Sequence, residues 1–149
     1  MNININSLKA FTTHVLVVQQ YMLEIIELLQ LNSIYHDSSK YLNSDEWPLL
    51  QHKYLLDNLE YGSSEFNTLV EELKPSVDEH HYNNRHHIEF HEHYLQMSMF
   101  DWLEWLADLK SFESNNNLYN MLQIQFEKYN IDKTTQQLLI NTATELGWM

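Results

Sequence analysis

The sequence predicts an all-α fold, and three observations predict it. Only two Gly and two Pro interrupt 149 residues, too few turn-formers for a multi-stranded protein. Between Ser7 and Gln30 the apolar residues Leu8, Phe11, Val15, Val18, Met22, Ile25, Ile26 and Leu29 recur at steps of three and four, the period of a helical face. Further along, serines stand where helices would begin, ahead of periodic apolar runs. The expectation is one compact bundle of about six to eight helices, a single domain over residues 1–149.

The first helix is the clearest, and its periodic face is expected to be buried. Asn32 and Ser33 are expected to end it and to open a shorter helix carrying His36 and Asp37. Ser44 suits the cap of a helix running to about Glu60, with Asp45 and Glu46 in its first turn, Pro48 near its start and Gly62 as its stop. Ser63 or Ser64 then opens Glu65 to Leu73, and Pro75 opens a histidine-rich segment. Ser98 and Asp101 have the spacing of a capping box at the head of MFDWLEWLADLKSF. Asn115 to Asn117 reads as a loop. Helices are expected from Leu118 to Tyr129 and from Lys133 to Leu146, divided at Asn130 to Asp132 and stopped by Gly147.

Charge narrows the function classes. Eight Lys and Arg against 21 Asp and Glu give a net charge of -13, which repels phosphate polymers and argues against a nucleic-acid partner. A small phosphorylated substrate stays compatible, because a bound cation reverses the field inside a pocket. No apolar run has bilayer length and the start lacks a secretory pattern, so a cytoplasmic protein without a membrane partner is expected. With no cysteine, any metal must sit on nitrogen and oxygen. Nine histidines are the oddity, and His80, His81, His86, His87, His91 and His93 fall in one short stretch.

His36 and Asp37 form an adjacent imidazole and carboxylate pair. His14 lies on the long helix before them, Lys40 three residues after Asp37, and Asp108 in LEWLADLK far downstream. Ligands of these types from several helices can converge inside a bundle on a borderline divalent ion. Taken singly, each has a plainer reading. A histidine beside an apolar face is more often a hydrogen-bonded core residue, Lys40 suits a helix C-terminus, and Asp101, Glu104 and Asp108 fit a solvated acidic stripe. Trp47, Trp102, Trp105 and Trp148 read as core, and His52, His91 and His93 as structural.

A helical His, an HD pair and a late helical Asp together resemble the HD superfamily of metal-dependent phosphohydrolases. More narrowly, HDSSK, EHHYNNRHH and DWLEWLADLK resemble a family of small phage and bacterial proteins of unassigned function, with Ile88 where that family has Pro and with Glu89 kept. The resemblance implies that His14, His36, Asp37 and Asp108 hold a divalent ion, one of Mn, Fe, Co, Ni or Zn. It also implies that Asp37 can bridge to a second ion on His81 and His87. His80 and His86 compete for that second place, and Asp101 for the place of Asp108. A water acidified by the ion would attack phosphorus, with Lys40 and Arg85 gripping phosphate oxygens. Glu46 or Glu104 would accept a proton or hold a ligand histidine. The expected activity is hydrolysis of a small phosphorylated compound, a nucleotide or nucleotide-derived signal. The alternatives are oxygen chemistry on two irons and a non-catalytic viral protein that binds a nucleotide or a host protein.

Overall fold

The structure, a computed structural model, describes residues 4–112 and 117–149. The described residues are all-helical, as expected, and contain no strand. They divide into two compact units, Met1–His36 and Asp37–Met149.

The first unit is one helix, α1 (Ile5–Tyr35), opened by the Asn4 side chain, which accepts from the backbone N–H groups of Asn6 and Ser7. It runs through Asn32 and Ser33, contrary to the expected break. The Ser33 hydroxyl donates to the Gln30 carbonyl at 2.9 Å, so the polar residue is satisfied inside the helix and has no need to end it. His36 is therefore the cap of α1, and Asp37 stands in a turn at φ 54° instead of on a second helix. None of α1 is buried, also contrary to expectation, because a lone helix has no second layer within its unit.

The second unit begins with α2 (Ser39–Leu42), a single turn of 3-10 helix over Ser44–Glu46, and α3 (Trp47–Asn58). Asn43, not Ser44, makes the cap, its side chain accepting from Asp45 N at 3.1 Å. Pro48 sits in the first turn of α3, where its missing N–H has no helical partner to lose. The helix stops at Asn58, short of Gly62, which serves the following turn at φ +79°. Ser63 caps α4 (Ser64–Glu72), and the histidine-rich segment opens as α5 (Lys74–Asn83), with Pro75 in its first turn. Two short 3-10 turns, Ile88–Phe90 and Tyr94–Gln96, lead to α6 (Met99–Ser111). There Ser98 and Asp101 form the reciprocal capping box. Asn117 caps α7 (Leu118–Lys128); Asn115 and Asn116 lie outside the described residues. Asp132 caps α8 (Lys133–Glu145).

α6 packs on α7 and α8. Leu106, Leu118, Met121 and Leu122 are sealed there with Trp102, Trp105, Phe126, Leu139 and Ala143. Each large side chain contributes about 1.5–3 kcal/mol on burial. Trp148 packs against this core, whereas Trp47 is 50% exposed and belongs to no core. α5 packs on α2, α3, α4 and both neighbouring 3-10 turns at Ser44–Glu46 and Ile88–Phe90, and this arrangement carries the histidines to the acids of α6. Among the described residues, no helix is long and apolar enough to cross a membrane.

Candidate metal centre

Polar residues that are expensive to bury collect around α5. Glu46 has no solvent exposure, and His80, Asn84 and His86 are buried with it. Such groups persist inside a protein only when hydrogen-bonded and charge-balanced. Glu46 Oε2 accepts from Ser39 Oγ at 2.9 Å and lies 2.8 Å from His80 Nδ1, while Oε1 accepts from Asn83 Nδ2 at 3.0 Å. The Asn84 amide nitrogen reaches Ser39 Oγ at 2.7 Å, the His80 carbonyl at 2.8 Å and His80 Nδ1 at 2.9 Å, and of the two partners of that Nδ1 the Glu46 carboxylate is the one that can only accept. The short contact between Glu46 and His80 Nδ1 therefore carries the imidazole's own hydrogen, and Nε2 faces the other way.

What Nε2 faces is Asp37. His80 Nε2 is 3.2 Å and His86 Nε2 3.6 Å from Asp37 Oδ1, and His87 Nε2 is 2.9 Å from His80 Nε2. His86 repeats the arrangement of His80, with its Nδ1 3.2 Å from Glu104 Oε1. Each of these two imidazoles thus stands between a carboxylate behind it and Asp37 in front, the relation that orients metal-bound histidines. Asp37, His80, His86 and His87 each offer a donor atom within 4.8 Å of the others, and Asp108 brings a carboxylate oxygen equally near Asp37.

The donors fit a divalent ion. Bonds of 2.0–2.1 Å place neighbouring ligand atoms about 2.9 Å apart at right angles and about 3.4 Å apart at the tetrahedral angle. The contacts of 2.9, 3.2 and 3.6 Å bracket that range. A second proton on His80 would answer its own contacts alone; an ion would answer all four residues at once. Imidazole and carboxylate suit Mn, Fe, Co, Ni or Zn.

With no ion bound, a second proton on His80 takes the ion's place: burial pushes the Asp37 carboxyl up, but the His80 hydrogen bond and the Lys40 and His80 charges outweigh it and hold the group well below the usual carboxylate range. Lys40 Nζ bonds Asp37 Oδ2 directly. Burial, reinforced by the His86, His81 and His80 imidazoles, keeps His87 well below the ordinary histidine value, so it is the neutral, lone-pair form that metals require. Asp37 also occupies the left-handed backbone region, which Asp tolerates better than most residues and which gathers at functional sites.

A second group adjoins the first: His81, His87 and Glu89. Burial foremost, opposed by Glu89, lowers the His81 pKa. Burial would raise the Glu89 pKa, but His81, the Tyr129 hydroxyl and Lys128 bring it down on balance. The Tyr61 hydroxyl, which accepts from Gln125 Nε2, is pushed up to about 12 by burial and by the Asp108 charge.

The sequence-derived residues fall as follows. Asp37 and Asp108 meet, and His87 and His81 lie beside them in the two adjoining groups. Glu46 and Glu104 stand behind His80 and His86. His80 and His86, set down only as competitors, take the places nearest Asp37. Arg85, expected to grip phosphate, forks its guanidinium onto Asp101 through Nε and Nη2, both at 3.1 Å. Asp101, the competitor of Asp108, holds that fork and closes the α6 capping box. His14, exposed on α1, and His36 belong to the first unit; the site described here lies wholly in the second. His52, His91 and His93 bond backbone groups. Ser39, Asn83 and Asn84 were missed, although the four-residue step from His80 to Asn84 was there to be read.

Fold and site together define an all-helical protein with a buried histidine and carboxylate cluster. The chain belongs to the DUF5662 family, a family of unknown function, whose pattern matches residues 4–145. No curated protein and no solved structure matches it.

Proposed function

We propose that this protein is a metal-dependent hydrolase of HD type, acting on a small phosphorylated compound such as a nucleotide or nucleotide-derived signal. The observation that carries the reading is the convergence of His80, His86 and His87 on Asp37, with Glu46 and Glu104 behind the first two rings. Asp37, His80, His86 and His87 would hold the ion, with Asp108 beside them. When bound, a divalent ion there supplies positive charge that polarises a phosphoryl oxygen and acidifies water. Lys40, on the edge of the cluster, offers a phosphate oxygen a point charge in a chain otherwise strongly acidic. Glu104 would orient the ring of His86 from behind, as Glu46 does the ring of His80.

Elemental analysis of protein purified without chelator or tag, followed by turnover assays on mono-, tri-, cyclic and dinucleotides with each metal, tests the reading. Turnover that disappears in Asp37→Asn, a residue that also tolerates the left-handed backbone, supports it. No turnover with any metal sinks it. Oxygen chemistry on two irons is the second reading, favoured by the two-histidine, one-carboxylate group of His81, His87 and Glu89 beside the first cluster. Iron retained on purification, with a spectrum that responds to oxygen, selects it.

A further inference from the structure

The sequence reading placed a second ion on His81 and His87 with Asp37 as a bridge. The geometry offers a different set. His81, near the end of α5, and His87 and Glu89, on the chain leaving it, each present a donor atom within 4.8 Å of the other two, without Asp37. His81 Nδ1 stands 3.6 Å from Glu89 Oε1, and the His81 and His87 rings lie 4.5 Å apart between centroids. Glu89 is fixed at Oε1, the oxygen nearest His81: Lys128 Nζ donates to it at 3.1 Å and the Tyr129 hydroxyl donates to it as well, which leaves Oε2 as the oxygen to offer an ion. Both donors come from the C-terminal end of α7, an element of the packed core. A carboxylate fixed in this way by groups from a rigid helix is the outer support expected of a metal ligand.

We infer that His81, His87 and Glu89 form a second divalent-cation site, separate from the one on Asp37. Two imidazoles and one carboxylate suit Mn, Fe, Co or Zn rather than Mg or Ca, and three protein ligands leave positions open for water or a substrate anion. His81 and Glu89 are partly exposed, so solvent and small anions can reach the group. His87 belongs to both groups, and because a neutral imidazole has one lone pair, it would join two ions only as an imidazolate, one ring nitrogen on each and its ring proton released to solvent. The inference goes beyond the proposed hydrolase and does not depend on it, since His81 and Glu89 would hold an ion even if Asp37 held none.

Titration of the metal-free full chain with zinc chloride and with cobalt(II) chloride, read by calorimetry and elemental analysis, tests the site. Wild type is expected to take two ions per chain. Glu89→Gln should take one and keep the ion on Asp37, while Asp37→Asn should lose that ion and keep the other. A single ion in wild type that survives Glu89→Gln overturns the inference and leaves the hydrolase standing. A single ion that Glu89→Gln abolishes and Asp37→Asn spares supports the inference and sinks the hydrolase site. Should Glu89→Gln fail to fold, His81→Gln gives the same reading: loss of one ion supports the site and retention of both overturns it. Tyr129→Phe removes only the outer hydrogen bond and should weaken the second ion by about 10- to 100-fold, leaving the first unchanged.

Discussion

His80 Nδ1 lies 2.8 Å from Oε2 of Glu46, a carboxylate with no solvent exposure, across 34 residues of chain. This contact decides which nitrogen of His80 is left to face Asp37. Glu46→Gln keeps the shape but removes the charge and permits the amide to turn its NH2 group towards the ring. The expected result is a loss of metal affinity of about 10- to 100-fold with the fold retained, measured by calorimetry against a metal-free control. Glu46→Ala also strands the buried donor of His80, and should cost about 1–3 kcal/mol in denaturant unfolding. Unchanged affinity in Glu46→Gln would remove Glu46 from the metal centre.

Arg85 and Asp101 give a prediction of the opposite kind. The Arg85 fork meets a carboxylate that also accepts from Ser98 N and Ser98 Oγ, both at 2.8 Å, so Asp101 is shared between an ion pair and a helix cap. The Arg85 side chain is 63% exposed, and solvent screening discounts its half of the pair to about 0.5 kcal/mol. Arg85→Ala should therefore lower the melting temperature slightly and leave metal stoichiometry and substrate KM unchanged. Asp101→Ala should be worse, by about 1–2 kcal/mol, through loss of the cap. A large rise in KM for Arg85→Ala would restore the phosphate role read from the sequence.

The metal-free protein should lose stability as pH falls below the ordinary histidine value. His81 and His87 both have folded pKa values depressed below 6.5, chiefly by burial. Between the folded and unfolded values the unfolded chain binds more protons, so stability is complete above about 6.5 and declines below it. Asp37, depressed below 3.8, adds a second decline at lower pH, since its contribution is present above that value and lost beneath it. Thermal unfolding from pH 8 to pH 4 should show a plateau and then a fall that begins near 6.5. His87→Gln should flatten part of that fall. A melting temperature constant across pH 7 to 5 would contradict the burial of these rings.

Helix periodicity carried most of the second unit, because α6, α7 and α8 combine side-chain caps with an apolar stripe that has one place to go. The site was harder to read. His80 and His81 are successive residues on α5 and therefore point about 100° apart, one towards Glu46 and the other towards Glu89. Composition cannot tell which is which without the phase of the helix against its neighbours. After Asn84 the chain leaves helical geometry, so no period relates His86 and His87 to α5; only the packing of the Ile88–Phe90 turn sets them. The partner of Arg85 was hidden for a similar reason, since it lies 16 residues on and takes part in a cap that the sequence did disclose.

The fragment comprising residues 37–149 decides between the ligand set read from the sequence and the one built by the second unit. All of the buried core residues lie within 37–149, as do Asp37, His80, His86, His87 and Asp108. A segment that holds its own core is expected to fold without the rest, so the fragment should unfold cooperatively with the denaturant slope of its own buried surface. It should also bind a divalent ion, through donors that removal of α1 leaves in place. In the full chain, His14→Ala and His36→Ala should then change affinity by less than Asp37→Asn does. A fragment that folds but binds no ion would assign a ligand role to His14 or His36, and the single variants would show which. A fragment that fails to fold would show that the core of the second unit needs α1 for its stability.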